Sequence, residues 1–355
     1  MKKRKTLLID FGVPFGGAEV YLTHLVQLLS EKAEFFALGV NPRLCAALNA
    51  LNVRVFGFPR FLHAGKAVHF LIGIVMLVWI RLRYNVSTIW IQGVPENALL
   101  PIARMLGCET LSTQHFALNP SLSRNLYPYF ARFAQKIICV SRAVQSDIAP
   151  LLNGANLVAI PNWVSIPQTS VDVSYQKGQP LRLLFVGRLE KHKGVDLVLQ
   201  AMRSLREARP ESTISLTVVG EGYYRPELEQ LANGLNVEFV GFNERPSQYF
   251  ATADIFINPS RGAEGMPLAS LEAMASGMPC ILSDLPVHKE ITDDGQYAVL
   301  FHCGDENDLQ TKIESLLTSP HLMKRIGRSA RETVLRLHTP DAARAAYLRE
   351  LQFEG

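Results

Sequence analysis

The chain has 355 residues, more than one ordinary hydrophobic core organises, so two domains are expected. It is 48% hydrophobic and 19% charged, the balance of a globular protein, and its five cysteines (Cys45, Cys108, Cys139, Cys280, Cys303) form no CxxC and no His–Cys cluster, which argues against structural zinc and for a reducing compartment. The net charge of +4 is uneven: residues 1–170 hold 16 Lys/Arg against 7 Asp/Glu, and residues 171–355 hold 20 against 25.

The N-terminal MKKRKTLLID is basic and then apolar, but the apolar part runs into Asp10 too soon for a signal peptide and reads as a first strand over 6–10. Gly12, Gly16 and Gly17 follow, and a helix starts near Ala18. Strand, glycines and helix form a context in which backbone N–H groups can cradle a phosphate. The spacing is not GxGxxG, and a tight turn that needs glycine for backbone reasons remains an equal reading. Further apolar runs predict strands at 35–40, 53–56, 88–91, 110–113, 136–140 and 157–160, with helices between them. His115 ends the 110–113 strand, where open α/β sheets bind ligands, although a lone His is commonly structural.

Residues 67–80 are apolar or small except His69, with Lys66, Arg81 and Arg83 at the flanks. The run is too short to span a bilayer at ~1.5 Å per residue. It reads either as a buried crossover helix or as a helix that touches a membrane surface with Trp79 and the arginines at the interface. The basic first half suits an anionic membrane surface or a phosphorylated acceptor; nucleic acid is disfavoured, because no basic-aromatic stripe accompanies the charge.

Residues 166–180 are polar, aperiodic and rich in Pro and Gly, as a linker is. A second alternating unit then begins with a strand at 181–186, followed by GRLEKHKG and a helix from Val195. Arg188 and Lys193 there offer a planar fork and a mobile point charge, suited to a diphosphate, or are merely solvated loop cations. Strands are predicted at 215–219, 237–240, 255–257, 280–282 and 298–301. Helices are predicted at 305–317, with Asp305 as N-cap, and at 320–337 and 341–353. Between the 255–257 and 280–282 strands, Pro267 opens a helix to about Ser276 and Gly277 closes it. Glu264 lies at the mouth of that helix, beside its free N–H groups, and Glu272 lies two turns along. The arrangement suits a hydroxylated ligand laid across the helix start, or a dipole partner and a solvated Glu. No DxD triplet is present to hold a divalent metal.

Taken in order, GRLEKHKG, VVGEG, VEFVGF, ATADIFINPS and EGMPLASLEAMASGMP, with Glu264 and Glu272 eight positions apart, resemble the retaining, nucleotide-sugar-dependent glycosyltransferases of family 4. Gly16-Gly17-Ala18-Glu19, STQH ending in His115, CVSRAV and IPNWV agree, so the resemblance covers nearly the whole chain and is weakest over 41–86. It implies the GT-B fold: two Rossmann-like parallel-sheet domains facing a central cleft. The domains would be 1–165, acceptor side, and 181–338, nucleotide-sugar side, with a crossover helix at 339–355 returning to the first. It also implies that Arg188 and Lys193 hold the donor diphosphate, that Glu272 takes the ribose hydroxyls, and that Glu264 lies next to the donor sugar. The backbone of Gly265, Met266 and Pro267 would meet sugar hydroxyls, Gly16 and Gly17 would approach the phosphates, and His115 would lie beside the sugar.

Met266 stands where the family often has Phe, and Trp163 where Gly is frequent, which leaves the donor sugar and the hinge shape open. No cofactor or metal is expected, because fixed cations can stabilise the leaving diphosphate. Retention ordinarily points to a carboxylate nucleophile, for which Glu264 is the nominee; the family's proposed alternative is front-face attack with the departing phosphate as base. The expectation is a cytoplasmic hexosyltransferase, peripheral on the inner face of the cell membrane, that moves a sugar from a nucleotide-sugar donor to a glycan or lipid-linked acceptor in surface polysaccharide or lipopolysaccharide synthesis. A nucleotide-sugar epimerase of the same fold and a non-catalytic sugar-nucleotide-binding scaffold subunit are the alternatives.

Overall fold

A computed structural model of the chain describes residues 3–12, 16–39, 41–57, 66–118, 122–171, 175–211, 213–262 and 264–352. Seven short apolar runs become β1 (Arg4–Asp10), β2 (Ala33–Gly39), β3 (Arg54–Gly57), β4 (Thr88–Ile91), β5 (Glu109–Gln114), β6 (Lys136–Cys139) and β7 (Leu157–Ala159). Six more become β8 (Leu181–Val186), β9 (Ile214–Val219), β10 (Asn236–Gly241), β11 (Ile255–Asn258), β12 (Cys280–Ser283) and β13 (Val299–Phe301). These lie at the positions predicted from the sequence, with ends moved by one or two residues; Val40 lies outside the described residues. All four residues of β4, β11 and β12 are buried. Parallel strands covered by helices on both faces give such continuous apolar runs.

The first seven strands form one sheet in the order β3-β2-β1-β4-β5-β6-β7, and the other six form a second in the order β10-β9-β8-β11-β12-β13. The strand pairings are parallel in both. Each sheet reverses its order once, between β1 and β4 and between β8 and β11. Ligands of open α/β sheets bind outside the carboxyl ends of the strands at such a point. The chain divides into two units: Met1–Asn162 with Ala343–Gly355, and Trp163–Ala342. The first has a core around Leu7, Ile9, Phe36, Ile89 and Ile91, and the second around Leu183, Phe185, Val198, Ile257 and Ile313. The Pro340–Leu351 helix brings Tyr347, fully buried, to the first unit.

The apolar run after β3 is a helix, Lys66–Tyr84. Leu77 and Ile80 are 0% exposed in the first core, whereas Leu71, Val75 and Leu82 are 61%, 67% and 72% exposed, with Trp79 on the same outer side. One face thus packs as a crossover helix does, and the other leaves a stripe of large apolar side chains in solvent. Among the described residues no helix is long and apolar enough to cross a membrane. The helix Glu306–Leu317 begins as predicted: the Asp305 carboxylate accepts the Asp308 N–H at 3.0 Å.

In the second unit the loops that follow β8 and β11 touch through their backbones. Gly194 has φ +73°, and a Cβ there would lie 2.1 Å from the carbonyl oxygen of Pro259. Both the left-handed backbone and the contact demand glycine. Gly194→Ala is expected to destabilise the second unit by roughly 2 kcal/mol or more, read as a lowered melting temperature. An unchanged melt would mean that the two loops are not held in contact.

Candidate active site

β8 and β11 are hydrogen-bonded neighbours, so their carboxyl-end loops leave the sheet side by side. The first carries Arg188, a short 3-10 turn at Lys191–Lys193 and then the Val195–Ala208 helix. The second carries Ser260, Arg261 and Glu264. Arg261 grips Asp196 through two hydrogen bonds of 3.0 and 2.7 Å, and its backbone N–H donates to the His192 carbonyl at 2.7 Å. Lys193 Nζ donates to Glu264 Oε1 at 2.6 Å, with the two side chains only 17% and 7% exposed. The Ser260 hydroxyl donates to the same oxygen. The partners of Glu264 are thus a lysine and a serine, not the free N–H groups of the helix that follows. That helix, Leu268–Ala275, starts one residue after Pro267, which is its N-cap.

The two glutamates have opposite electrostatics. Burial would push the Glu264 carboxyl up, but the Lys193 ammonium beside it and the Lys193 and Ser260 hydrogen bonds hold it down at about 2. Glu264 is therefore ionised. Burial pushes the Glu272 carboxyl up to about 7, and no described residue hydrogen-bonds its side chain or pairs with it. A carboxyl group without a partner in a low-dielectric setting is costly, and such groups mark sites where a ligand supplies the missing donors. Arg188 is about two-fifths exposed and meets Glu190 of its own loop at 2.5 Å. Gly265 and Met266 are buried, and Pro267 is half-buried.

A second layer beneath Glu264 left no motif in the sequence. His288 is 0% exposed. Its Nδ1 donates to the Ser283 carbonyl at 2.8 Å, so Nε2 is the acceptor for the Asn258 amide at 3.3 Å. The Asn258 oxygen accepts the Ser260 N–H at 3.3 Å, and the Ser283 hydroxyl donates to the Ser260 carbonyl at 2.6 Å. Both backbone groups of Ser260 are thereby fixed, and with them the hydroxyl that meets Glu264. The hydroxyl of Ser260, four residues before Glu264, was available to sequence reasoning; His288, on the far side of β12, was not.

The remaining predicted residues belong to the first unit. Gly16 is the N-cap of the Gly17–Leu29 helix, and its N–H donates to Glu19 Oε2 at 2.7 Å. Gly12, Gly16 and Gly17 all lack positive φ, so a left-handed turn is not what selects glycine there. A Cβ on Gly17 would meet open space. His115 directly follows β5. Its Nε2 meets Gln92 Oε1 at 3.2 Å, and its ring stands edge-to-face on Tyr21 with centroids 4.8 Å apart. Burial lowers its pKa to about 3, so the imidazole is neutral. The structure thus joins Lys193 and Glu264 directly and places Arg188 on the Lys193 loop. Gly16, Gly17 and His115 form a separate set at the carboxyl edge of the other sheet. Among the described residues no group of three or more His, Cys, Asp or Glu side chains could hold a metal ion.

Residues 15–167 match the family model described as Glycosyltransferase Family 4, and residues 180–319 that described as Glycosyl transferases group 1. The chain belongs to glycosyltransferase family 4. Its two parallel-sheet units are those of the GT-B fold. This family 4 chain is 32% identical over 267 residues to sulfoquinovosyl transferase SQD2 of Arabidopsis thaliana, covering 68% of this chain and 51% of that one. It is 29% identical over 239 residues to phosphatidyl-myo-inositol mannosyltransferase of Mycobacterium leprae (strain TN), covering 64% of this chain and 62% of that one. The chain thus spans between half and two thirds of the length of these curated relatives. The crystal structure of Anabaena Alr3699/HepE in complex with UDP and glucose is similar over 98% of this chain and 99% of that one, with a TM-score of 0.84 at 17% identity.

The electrostatics of Glu272 have a measurable consequence. Its pKa is raised in the folded chain from 4.5 to about 7. Folding therefore opposes its ionisation: the cost is absent below the ordinary value, grows through the interval and is complete above about pH 7. Glu272→Gln is expected to stabilise the protein by roughly 1–3 kcal/mol at pH 8 and not at pH 4.5, read by thermal denaturation at both. Equal effects at the two pH values would remove burial as the cause.

Proposed function

We propose that this chain is a retaining, metal-independent hexosyltransferase that takes a sugar from a nucleotide-diphosphate donor and passes it to a glycan or lipid-linked acceptor. The observation that carries the reading is the Lys193–Glu264 pair at the reversal point of the second sheet, with Arg188 on the same loop and Glu272 without a partner. Each is the residue type that one part of a nucleotide sugar needs. Arg188 and Lys193 bind the diphosphate and neutralise the charge that builds on it as the glycosidic bond breaks. Glu272 accepts the ribose hydroxyls, which supply the donors its side chain lacks. The backbone of Gly265, Met266 and Pro267 meets the sugar, with Glu264 beside the anomeric carbon. In the first unit, the Gly16–Gly17 helix start is the feature suited to phosphate, and neutral His115 the one suited to a sugar hydroxyl.

The state of Glu264 bears on the mechanism. A carboxylate held near pKa 2, with one oxygen already accepting from a lysine and a serine, is a weak nucleophile. This supports front-face attack, in which the acceptor oxygen bonds to the anomeric carbon on the face that the diphosphate leaves, and the acceptor proton passes to a departing phosphate oxygen. Glu264 then orients Lys193 and stabilises positive charge on the sugar. The reading of the acceptor as lipid-linked and of the chain as peripheral on an anionic membrane rests on the basic first half and on the exposed Leu71, Val75 and Leu82 stripe, beside which lie Arg81 and Arg83. A relative named for phosphatidyl-myo-inositol is in keeping with it.

Incubation with UDP-, GDP- and ADP-sugars in EDTA, with an acceptor extract, is expected to release nucleotide and to yield a glycosylated product from one of them. Strict Mg²⁺ dependence, or conversion of the donor sugar without transfer, would sink the reading. Arg188→Ala is expected to weaken donor use about 10- to 100-fold with little change in melting temperature. Lys193→Ala is expected to do the same but also to lower the melting temperature, because it strands the buried Glu264 charge. Normal kinetics in both would remove the diphosphate role. Flotation with anionic liposomes at low salt is expected to carry the protein, and the pair Val75→Glu and Leu82→Glu to abolish it; no binding at low salt would remove the membrane reading.

A further inference from the structure

Behind His115 lies a buried layer that the proposed reaction does not use. Tyr21, from the Gly17–Leu29 helix, presents its ring to the imidazole at an interplanar angle of 79° and a centroid distance of 4.8 Å. Its hydroxyl oxygen lies 2.5 Å from that of Tyr347, on the Pro340–Leu351 helix, and the two side chains are 1% and 0% exposed. Tyr21 also hydrogen-bonds Thr113, two residues before His115 on β5. The Thr113 hydroxyl accepts the indole N–H of Trp90 at 2.9 Å, and Trp90 lies two residues before Gln92 on the adjoining chain of β4. Gln92 Oε1 in turn meets His115 Nε2 at 3.2 Å. The imidazole is thus held on one side by Gln92 and on the other by a ring whose far end is anchored to the last helix.

A phenol buried without a partner is costly, so the hydroxyl pair resists rotation of either ring. With the Gln92 oxygen facing Nε2, that nitrogen carries the proton and Nδ1 keeps its lone pair. Small displacements of a group beside a reacting centre are expensive in rate. We propose that Tyr347 is a positioning residue: through the Tyr21 hydroxyl it holds the ring that sets the plane of His115, and with that plane the Gln92 hydrogen bond that selects the tautomer, so the candidate site of the first unit is complete only with the last helix docked. This rests on the reading of His115 as an active-site residue.

The helix has other attachments to the first unit. Lys136 Nζ pairs with Glu350 at 3.3 Å, Arg344 pairs with Glu31, and the Tyr347 ring packs against Trp90 at a centroid distance of 6.0 Å. Tyr347→Phe removes only the hydroxyl and keeps this packing. In full-length protein, Tyr347→Phe and Tyr21→Phe are each expected to shift the melting temperature by less than about 3 °C. Each is expected to lower kcat about tenfold while donor KM changes less than about twofold. Each should also move the ¹⁵N imidazole resonances of His115, assigned with His115→Ala, from one fixed tautomer toward an average of two. Unmoved His115 resonances in both variants overturn the proposal, whatever happens to kcat, because a purely structural tyrosine would leave the tautomer alone. Wild-type turnover in His115→Ala overturns the active-site reading of His115 instead, and the resonances then decide the positioning by themselves.

Discussion

The ion pair between Lys193 and Glu264 is the constraint on which the second unit's candidate site depends. A lysine and a glutamate this deeply buried lose much hydration, and their attraction offsets that loss only when the geometry is good and the remaining lone pairs are satisfied. The loops meet this condition by being locked together around the pair. Gly194 lets the backbone of the β8 loop reach Pro259, Arg261 closes on Asp196, and Ser260 adds a hydroxyl to Glu264. Beneath them, the His288–Asn258 hydrogen bond holds the loop from the side of the sheet. This investment of polar groups is difficult to explain by stability alone, since an apolar pair of similar volume would fill the space at no desolvation cost. A ligand whose anionic part competes for the lysine would account for it.

The two sheets place their chemistry in the same way, and the reason is topological. A parallel strand order that reverses once leaves a gap in helix coverage outside the carboxyl ends of the two strands at the reversal. In the second sheet those strands are β8 and β11, and they carry Arg188, Lys193 and Glu264. In the first they are β1 and β4, followed by the Gly16–Gly17 helix start and by Gln92, with His115 one strand further along. The polar residues here are short-range extensions of buried apolar strands, so packing sets where each side chain begins.

This explains how much could be read without coordinates. The central strands were the most legible because they are covered on both faces and read as near-continuous apolar runs, as IFIN and CILS do. Asp305 was legible because an N-cap is a local device. Arg188, Lys193, Glu264 and Glu272 were legible as residue types at strand ends and along one helix. Their partners were not: Lys193 and Glu264 are 71 positions apart, and Tyr21 and Tyr347 are 326 apart. No periodicity encodes such a meeting. At the start of the Gly17–Leu29 helix the Gly16 N–H donates to Glu19, a one-sided cap, because glycine has no side chain to return the bond.

Glu272 shows what the energetics add to the pattern. A helix glutamate that faced solvent would keep an ordinary carboxyl, and one retained for stability would have a cation or N–H partner. Glu272 has no such partner among the described residues, and its carboxyl is pushed up to about 7 by burial. The fold therefore carries it at a cost that rises with pH. The same low dielectric that makes the lone carboxylate expensive would strengthen its hydrogen bonds to a hydroxylated ligand. Glu264 and Glu272, one helix mouth apart, are thus prepared in opposite ways: one already neutralised by Lys193, the other waiting for donors. A ligand with an anionic part and vicinal hydroxyls would relieve both conditions at once.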